Sequence, residues 1–221
     1  MPPRAPAVPP ARQRRQPAQA RAIETRSLIF EAAIRVLEAE GLEGFNTNRL
    51  AAESGYAVGT IYQYFGNKRE LLAALARREV DQALTSAQRN LAASPANNAQ
   101  VGSDPLDRIR ANVRVLLGVF GGRLKARRVL VQAALASGQT EELERPARAM
   151  AALLLRQGLV RADGQVLRLD EHEAFVLTQA LMGVVRSALL SEPARLKQPG
   201  FEDALVRLVA GFLGVTGTAK N

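Results

Sequence analysis

Apolar residues return at helical intervals along nearly the whole chain. Over residues 21–40, Leu28, Ile29, Ala32, Ala33, Val36 and Leu37 fall on one stripe, with Glu31, Arg35 and Glu38 off it, and Gly41 ends the run. Two short segments follow. Thr47 is placed as a hydroxyl N-cap before Leu50, Ala51 and Ala52, which mark a buried face, and Gly55 supplies the left-handed turn that ends this helix. The next helix spans about residues 58–65, with Ile61 and Phe65 facing inward and Thr60, Tyr62, Gln63 and Tyr64 on its other faces. Asn67 with Glu70 three positions on has the pattern of a capping box for a long helix over about residues 68–92.

The second half repeats the same grammar. Residues 94–103 are a loop by composition, and Asp104 with Pro105 opens a helix carrying Leu106, Ile109, Val113, Leu116, Leu117 and Phe120 until Gly121 and Gly122 break it. Helices are expected over residues 124–136 and 140–157. Residues 158–169 alternate apolar and polar around Asp163 and Gly164, a hairpin signal, but the segment is too short and isolated to found a sheet and is expected to be an ordered connector. Asp170 with Glu173 forms another capping box before a helix over residues 174–190, which Pro193 stops, and a last helix covers residues 201–213. The fold class is all-α.

Composition narrows the chemistry. The 221 residues hold no cysteine, so neither a disulfide framework nor a thiolate metal site can form, and no metal or cofactor is expected. No uninterrupted apolar run reaches the roughly 18 residues of a membrane span, and the Pro/Arg-rich start lacks the apolar core of a signal peptide, so a soluble, cytoplasmic protein is expected. The net charge of +9 is unevenly spread. Residues 1–23 carry Arg4, Arg12, Arg14, Arg15 and Arg21 and no acid, residues 24–70 have a net charge of −2, and the remainder +6. A basic arm ahead of a mildly acidic module suits a polyanion; the alternative is a solvated tail with no defined site.

A short helix with small residues at its start (Ala57, Gly59) and hydrogen-bonding side chains on its exposed face can lie in a DNA major groove with its backbone close to phosphate. Over about residues 22–75 the chain resembles the TetR (tetracycline repressor-like) family of bacterial transcription regulators. The resemblance rests on Gly41, Thr47, Leu50 with Ala51, Gly55, Gly59 with Thr60, Tyr62, Tyr64 with Phe65, and Lys68 at the family's spacing. Two positions depart from it. Ala57 stands where the family often has Ser, and Tyr56 replaces a small apolar residue. The resemblance implies an N-terminal three-helix helix-turn-helix module and a larger C-terminal helical domain for effector binding and dimerisation. The corresponding boundaries are a disordered basic arm at 1–21, the DNA-binding domain at 22–70, the effector and dimer domain at 71–216, and a flexible tail at 217–221.

The DNA-facing set is expected to be Thr47, Asn48, Arg49, Tyr56, Ala57, Gly59, Thr60, Tyr62, Gln63, Tyr64 and Lys68. Candidate effector contacts are Leu116, Phe120, Met150, Leu154, Phe175, Gln179 and Met182. The helix over 174–190 is apolar on more of its circumference than one core needs, which implies a second copy of the chain; the expected interface is Leu181, Val184, Val185, Ala188, Phe201, Leu205 and Leu208. The run Arg123, Lys125, Arg127, Arg128 is either a solvated helix face or a site for an anion or acidic effector. The lone His172, between Glu171 and Glu173, has no nucleophile near it in sequence, and no catalytic motif is present. The expected partners are a palindromic duplex operator, a second copy and a small-molecule effector, with repression relieved by ligand as what the resemblance implies. The rival is a helical carrier of apolar molecules with no DNA role, which would lack salt-dependent affinity for DNA.

Overall fold

A computed structural model describes residues 15–93, 104–120, 122–160 and 166–215. The outer part of the basic arm with Arg4, Arg12 and Arg14, the loop at 94–103, Gly121, the Asp163-Gly164 turn and the tail at 217–221 lie outside the described residues. Nine α-helices are described, and the chain divides into two compact units, residues 1–68 and 69–221.

The first unit holds α1 (Arg15–Gly44), α2 (Thr47–Ser54) and α3 (Val58–Tyr64). Helix α1 begins at Arg15, earlier than the expected start at residue 21, because the Arg, Gln and Ala run has high helix propensity and Pro17 is tolerated in a first turn. Arg15 and Arg21 are therefore helical. Near its other end the helical conformation breaks at Gly41, with φ 71° and ψ −163°, a backbone state that disfavours any residue with a Cβ. The buried surface of α1 is broader than one stripe: Phe30 and Ile34 join Ile29, Ala32, Ala33, Val36 and Leu37 in the core, whereas Leu28 is half exposed at the edge. The Phe30 ring meets that of Phe65 just beyond α3, with centroids 5.2 Å apart, and the Arg26 guanidinium lies over both rings.

The second unit contains α4 (Lys68–Ala93) apart from its first residue, α5 (Pro105–Phe120), α6 (Leu124–Ala136), α7 (Thr140–Gln157), α8 (Glu171–Ser191) and α9 (Pro199–Phe212). The sequence signals set several of these ends. The Asp104 carboxylate accepts from the Leu106 N–H at 2.9 Å, and Asp170 and Glu173 form the reciprocal capping box at 2.8 and 2.9 Å. The core is built from Ile109, Val113 and Leu117 of α5, Leu177, Leu181, Val185 and Leu189 of α8, and Leu205, Val206 and Val209 of α9. The expected connector between α7 and α8 is instead a minimal antiparallel ladder, β1 (Leu159–Val160) and β2 (Val166–Leu167), with Leu159 opposite Leu167 and Val160 opposite Val166. The alternation that signalled a hairpin thus does pair, over two residues only.

Helix α8 has the length and, at a mean hydropathy of 1.5 over 18 residues, the apolar composition of a membrane span. Counting uninterrupted apolar runs misses this, because Thr178, Gln179 and Arg186 interrupt the sequence without lowering its mean enough. Burial of Leu177, Leu181, Val185 and Leu189 makes it the central helix of this unit.

Candidate nucleic-acid interface and effector cavity

The junction of α2 and α3 is made by Gly55, at φ 74° and ψ 7°, whose N–H donates to the Ala51 carbonyl at 3.0 Å. A glycine adopts this left-handed state at little steric cost and stops α2 within one residue. Three residues later α3 begins, held by the buried Leu50, Ile61 and Phe65, while Ala51 is half buried and Ala52 exposed. Tyr62 and Gln63 are left exposed and Thr60 and Tyr64 half buried. The Tyr62 hydroxyl lies 3.3 Å from that of Thr47 at the start of α2, so it has a fixed position on the outer face.

Thr47 is free for that contact because it is not the cap. Asn46 is, its Oδ1 accepting the Arg49 N–H at 2.9 Å. Ala57 precedes α3 without a side-chain cap, as its methyl group dictates. At Gly59 an added Cβ would meet nothing within 4 Å. A helical glycine costs roughly 0.5–1 kcal/mol relative to alanine, and no contact among the described residues needs one here.

Two of the basic residues placed on the DNA face are engaged within the module. Arg49 donates to Glu40 at 2.5 Å and lies 3.9 Å from Glu53, which itself accepts from Arg35 at 2.6 Å. The Glu40 hydrogen bond holds the Arg49 guanidinium charged, above its ordinary range, and the Arg35 hydrogen bond draws the Glu53 carboxyl below its own. Lys68 is engaged more extensively than Arg49. Its ammonium donates to the Phe45 carbonyl at 2.5 Å and the Leu42 carbonyl at 3.4 Å, and sits 5.4 Å from the Phe45 ring centre. It ties the α1–α2 connection to the start of α4. Asn48, Tyr56 and Ala57 are exposed or half buried near the turn.

The second unit holds a partly open cavity of about 960 Å³. Its wall includes Leu116, Phe120, Met150, Leu154 and Met182 of the expected effector set. Phe175 and Gln179 are outside it: Phe175 is 61% exposed, and the Gln179 amide donates to Glu144 at 2.9 Å. Helix α8 is apolar nearly all round, so composition could not tell which of its faces meets the cavity.

Six polar wall residues lie outside the set expected from the sequence: Glu79 and Arg108, each 7% exposed, with Gln88, Asn112, Glu142 and Arg156. Arg127, from the basic run of α6, is on the wall as well. Glu79 is met by Arg123 at 3.4 Å and Arg127 at 3.7 Å. Burial alone would raise the Glu142 carboxyl, but hydrogen bonds from Arg145 at 2.6 Å and Arg77 at 2.9 Å outweigh it and hold it below the ordinary carboxylate range. A signal existed. Glu79 stands four residues after Leu75, on an apolar helical period, and Arg108 and Asn112 share a second such spacing.

Residues 29–75 match the family of bacterial regulatory proteins, tetR family. The match is confined to the N-terminal part of the chain, which over these residues is similar to that family. A relative is an HTH-type transcriptional regulator of Staphylococcus aureus (strain bovine RF122 / ET3-1), 36% identical over 64 residues, which are 29% of this chain and 35% of that protein. The chain thus matches about a third of that relative's length. Similar solved structures extend over both units. The multidrug binding protein EbrR complexed with ethidium is 25% identical with a TM-score of 0.58, over 86% of this chain and 98% of that one. The fatty acid degradation regulator FadR from Bacillus halodurans is 20% identical with a TM-score of 0.58, over 86% and 94%.

The expected dimer residues separate into two groups. Leu181, Val185, Ala188 and Leu205 are buried in their own unit's core, and Phe201 packs against that core half buried. Val184 and Leu208 are 39% and 42% exposed. The free apolar surface of α8 instead runs through Val176, Val184 and the exposed Ser187, and that of α9 through Leu208 and Phe212. Each set keeps a helical spacing of three, four or eight residues. His172 is exposed in the first turn of α8, away from the cavity wall.

Proposed function

We propose that the protein is a dimeric, ligand-responsive DNA-binding regulator of transcription in the bacterial cytoplasm, associated with the nucleoid when bound, and that it represses from a palindromic operator until an effector releases it. The observation that carries this reading is α3. Its outer face presents Gln63 and Tyr62 beside a glycine that no contact among the described residues requires. Asn and Gln amides can pair bidentately with adenine in the major groove, and a Cβ-free position lets backbone approach phosphate. Tyr56, Thr47 and Tyr64 then lie where sugar and phosphate contacts position the module, and Arg15 and Arg21 add positive charge ahead of a module that is itself mildly acidic.

Two half-sites must lie about 34–36 Å apart for paired modules to enter successive major grooves. The exposed stripes of α8 and α9 supply the surface for pairing. A ligand that binds better to a dimer with another module spacing shifts the population toward it, and coupling of this kind typically changes affinity about 5- to 150-fold.

Selection of duplexes from a random pool, followed by a salt titration, tests the proposal. The selected sequence should be an inverted repeat, and its affinity should fall steeply with salt. Gln63→Ala should relax base preference at one position of each half-site, by about 1–3 kcal/mol, with the fold intact. A carrier of apolar molecules would select no sequence and show no salt-dependent DNA affinity.

A further inference from the structure

Resting on the proposal that the cavity of the second unit is the effector site, we infer that its ligand is an uncharged, largely apolar molecule with a hydroxyl or carbonyl group that pairs with the Asn112 amide, its apolar body lying among Leu116, Phe120, Met150 and Leu154. The volume of about 960 Å³ lies at the upper end of small-molecule sites, and most of the wall is apolar, so a large hydrophobic body is accommodated. The buried charges of the wall are matched within the chain. Glu79 is held by Arg123 and Arg127, and Glu142 by Arg77 and Arg145. Arg108 is engaged within the chain as well. A cationic ligand would have to draw a carboxylate away from its two arginines, and an anionic one would have to draw an arginine away from the contacts it has. Either would also leave its own hydration behind on entering an apolar space, so both signs of charge are disfavoured. Gln88 and Arg156 are exposed, and a contact with Arg156 would be a surface ion pair weakened by water.

Asn112 differs from these charged groups. It is half buried on α5, one turn beyond Arg108, and its Oδ1 is buried with no hydrogen-bond partner among the described residues. An amide oxygen cut off from water and left unpaired is unfavourable, and a ligand that pairs with the amide relieves it. The last torsion of an asparagine side chain is broad, so a modest rotation turns either end of the amide toward the cavity. The oxygen then accepts from a hydroxyl, or the NH2 donates to a carbonyl, and neither exchange disturbs an ion pair. Leu116 follows one further turn along α5 and is on the same wall, so a ligand bonded to Asn112 has its apolar body beside Leu116. A single polar group in an apolar site fixes the orientation of what binds there, which makes Asn112 the residue that sets ligand preference.

Four probes with one apolar body isolate the polar group. Pyrene, 1-hydroxypyrene, 1-pyrenecarboxylate and 1-pyrenemethylammonium are titrated by fluorescence with the full-length protein at neutral pH, where the hydroxyl is uncharged. The chain holds no tryptophan, so no indole emission competes with the probe. 1-Hydroxypyrene should bind about 5-fold more tightly than pyrene, as expected of one net hydrogen bond, and at least about 10-fold more tightly than either charged probe. Asn112→Leu, close in size, should bring 1-hydroxypyrene down to the affinity of pyrene and leave pyrene itself unchanged. A thermal melt confirms folding, and Asn112→Ala makes the same comparison if the leucine variant melts early. Equal or tighter binding of the carboxylate or the ammonium would overturn the uncharged assignment while leaving an effector cavity in place. An advantage of the hydroxyl that persists in both Asn112 variants, or no advantage in the unaltered protein, would overturn the role of Asn112. Binding of none of the four would overturn the assignment together with the cavity's proposed role.

Discussion

Val184→Glu or Leu208→Glu should dissociate the protein into folded monomers and, with that, remove most of its operator affinity. Both side chains are largely exposed within their own chain, at 39% and 42%, so a carboxylate there is hydrated in a monomer and leaves its core untouched. In the proposed dimer the same carboxylate would be stripped of water with no cationic partner and would meet its own copy across the two-fold axis. Uncompensated burial of that kind costs about 3–5 kcal/mol, enough to move a micromolar or tighter dimer to monomers at working concentration. Sedimentation velocity and circular dichroism report the two halves of this result. Val185→Glu, one residue on, has a different meaning. Val185 is fully buried in its own core, and a charge there should unfold the second unit rather than separate two of them. If the Val184 and Leu208 variants stay dimeric with unchanged DNA affinity, the exposed stripes of α8 and α9 are not the interface.

Lys68→Ala is expected to destabilise the first unit by about 2 kcal/mol, because it removes a charged donor from two backbone carbonyls and a cation from the face of Phe45. Those carbonyls belong to the connection that sets where α2 starts, so DNA affinity should fall for every sequence alike. The dependence on salt separates this from a phosphate contact. Loss of a phosphate-binding lysine reduces the slope of log affinity against log salt by about one unit, whereas loss of a lysine that holds the module together leaves the slope as it was. Urea denaturation should show the lower midpoint directly. An unchanged midpoint with a flattened slope would return Lys68 to the DNA face.

The ends of helices were legible where one side chain closes a local ring of hydrogen bonds. Asp170 with Glu173, Asp104 before Leu106, and Gly55 after α2 all act within a few residues of themselves, and local chemistry is what a sequence displays most directly. At the start of α2 two capping residues are adjacent, and only the backbone geometry decides that Asn46 takes the role and frees Thr47 for Tyr62. Helix α8 posed a different problem. Its apolar residues surround it, so periodicity announces a second apolar face without saying which residues make it, and Leu181, Val185 and Ala188, on the face expected to meet a partner, pack in their own unit's core. Lys68 and Arg49 looked like surface charges awaiting phosphate because their partners, at Phe45, Leu42 and Glu40, are brought near by the turns between α1 and α2. The charged wall of the cavity was hidden for a related reason: Glu79, Arg108 and Arg127 come from three helices far apart in the chain.

The proposed dimer presents two modules to one duplex, and the spacing of the half-sites tests this most directly. Inserting five base pairs at the centre of the selected inverted repeat lengthens it by about 17 Å and turns one half-site to the opposite face of the DNA. Equilibrium binding of the full-length protein to the original and the lengthened duplex, at one salt concentration, supplies the comparison. Affinity for the lengthened duplex is predicted to drop to that of a single half-site. Equal affinity for the two duplexes would contradict the account, because modules fixed by a shared interface could not follow the DNA around its axis.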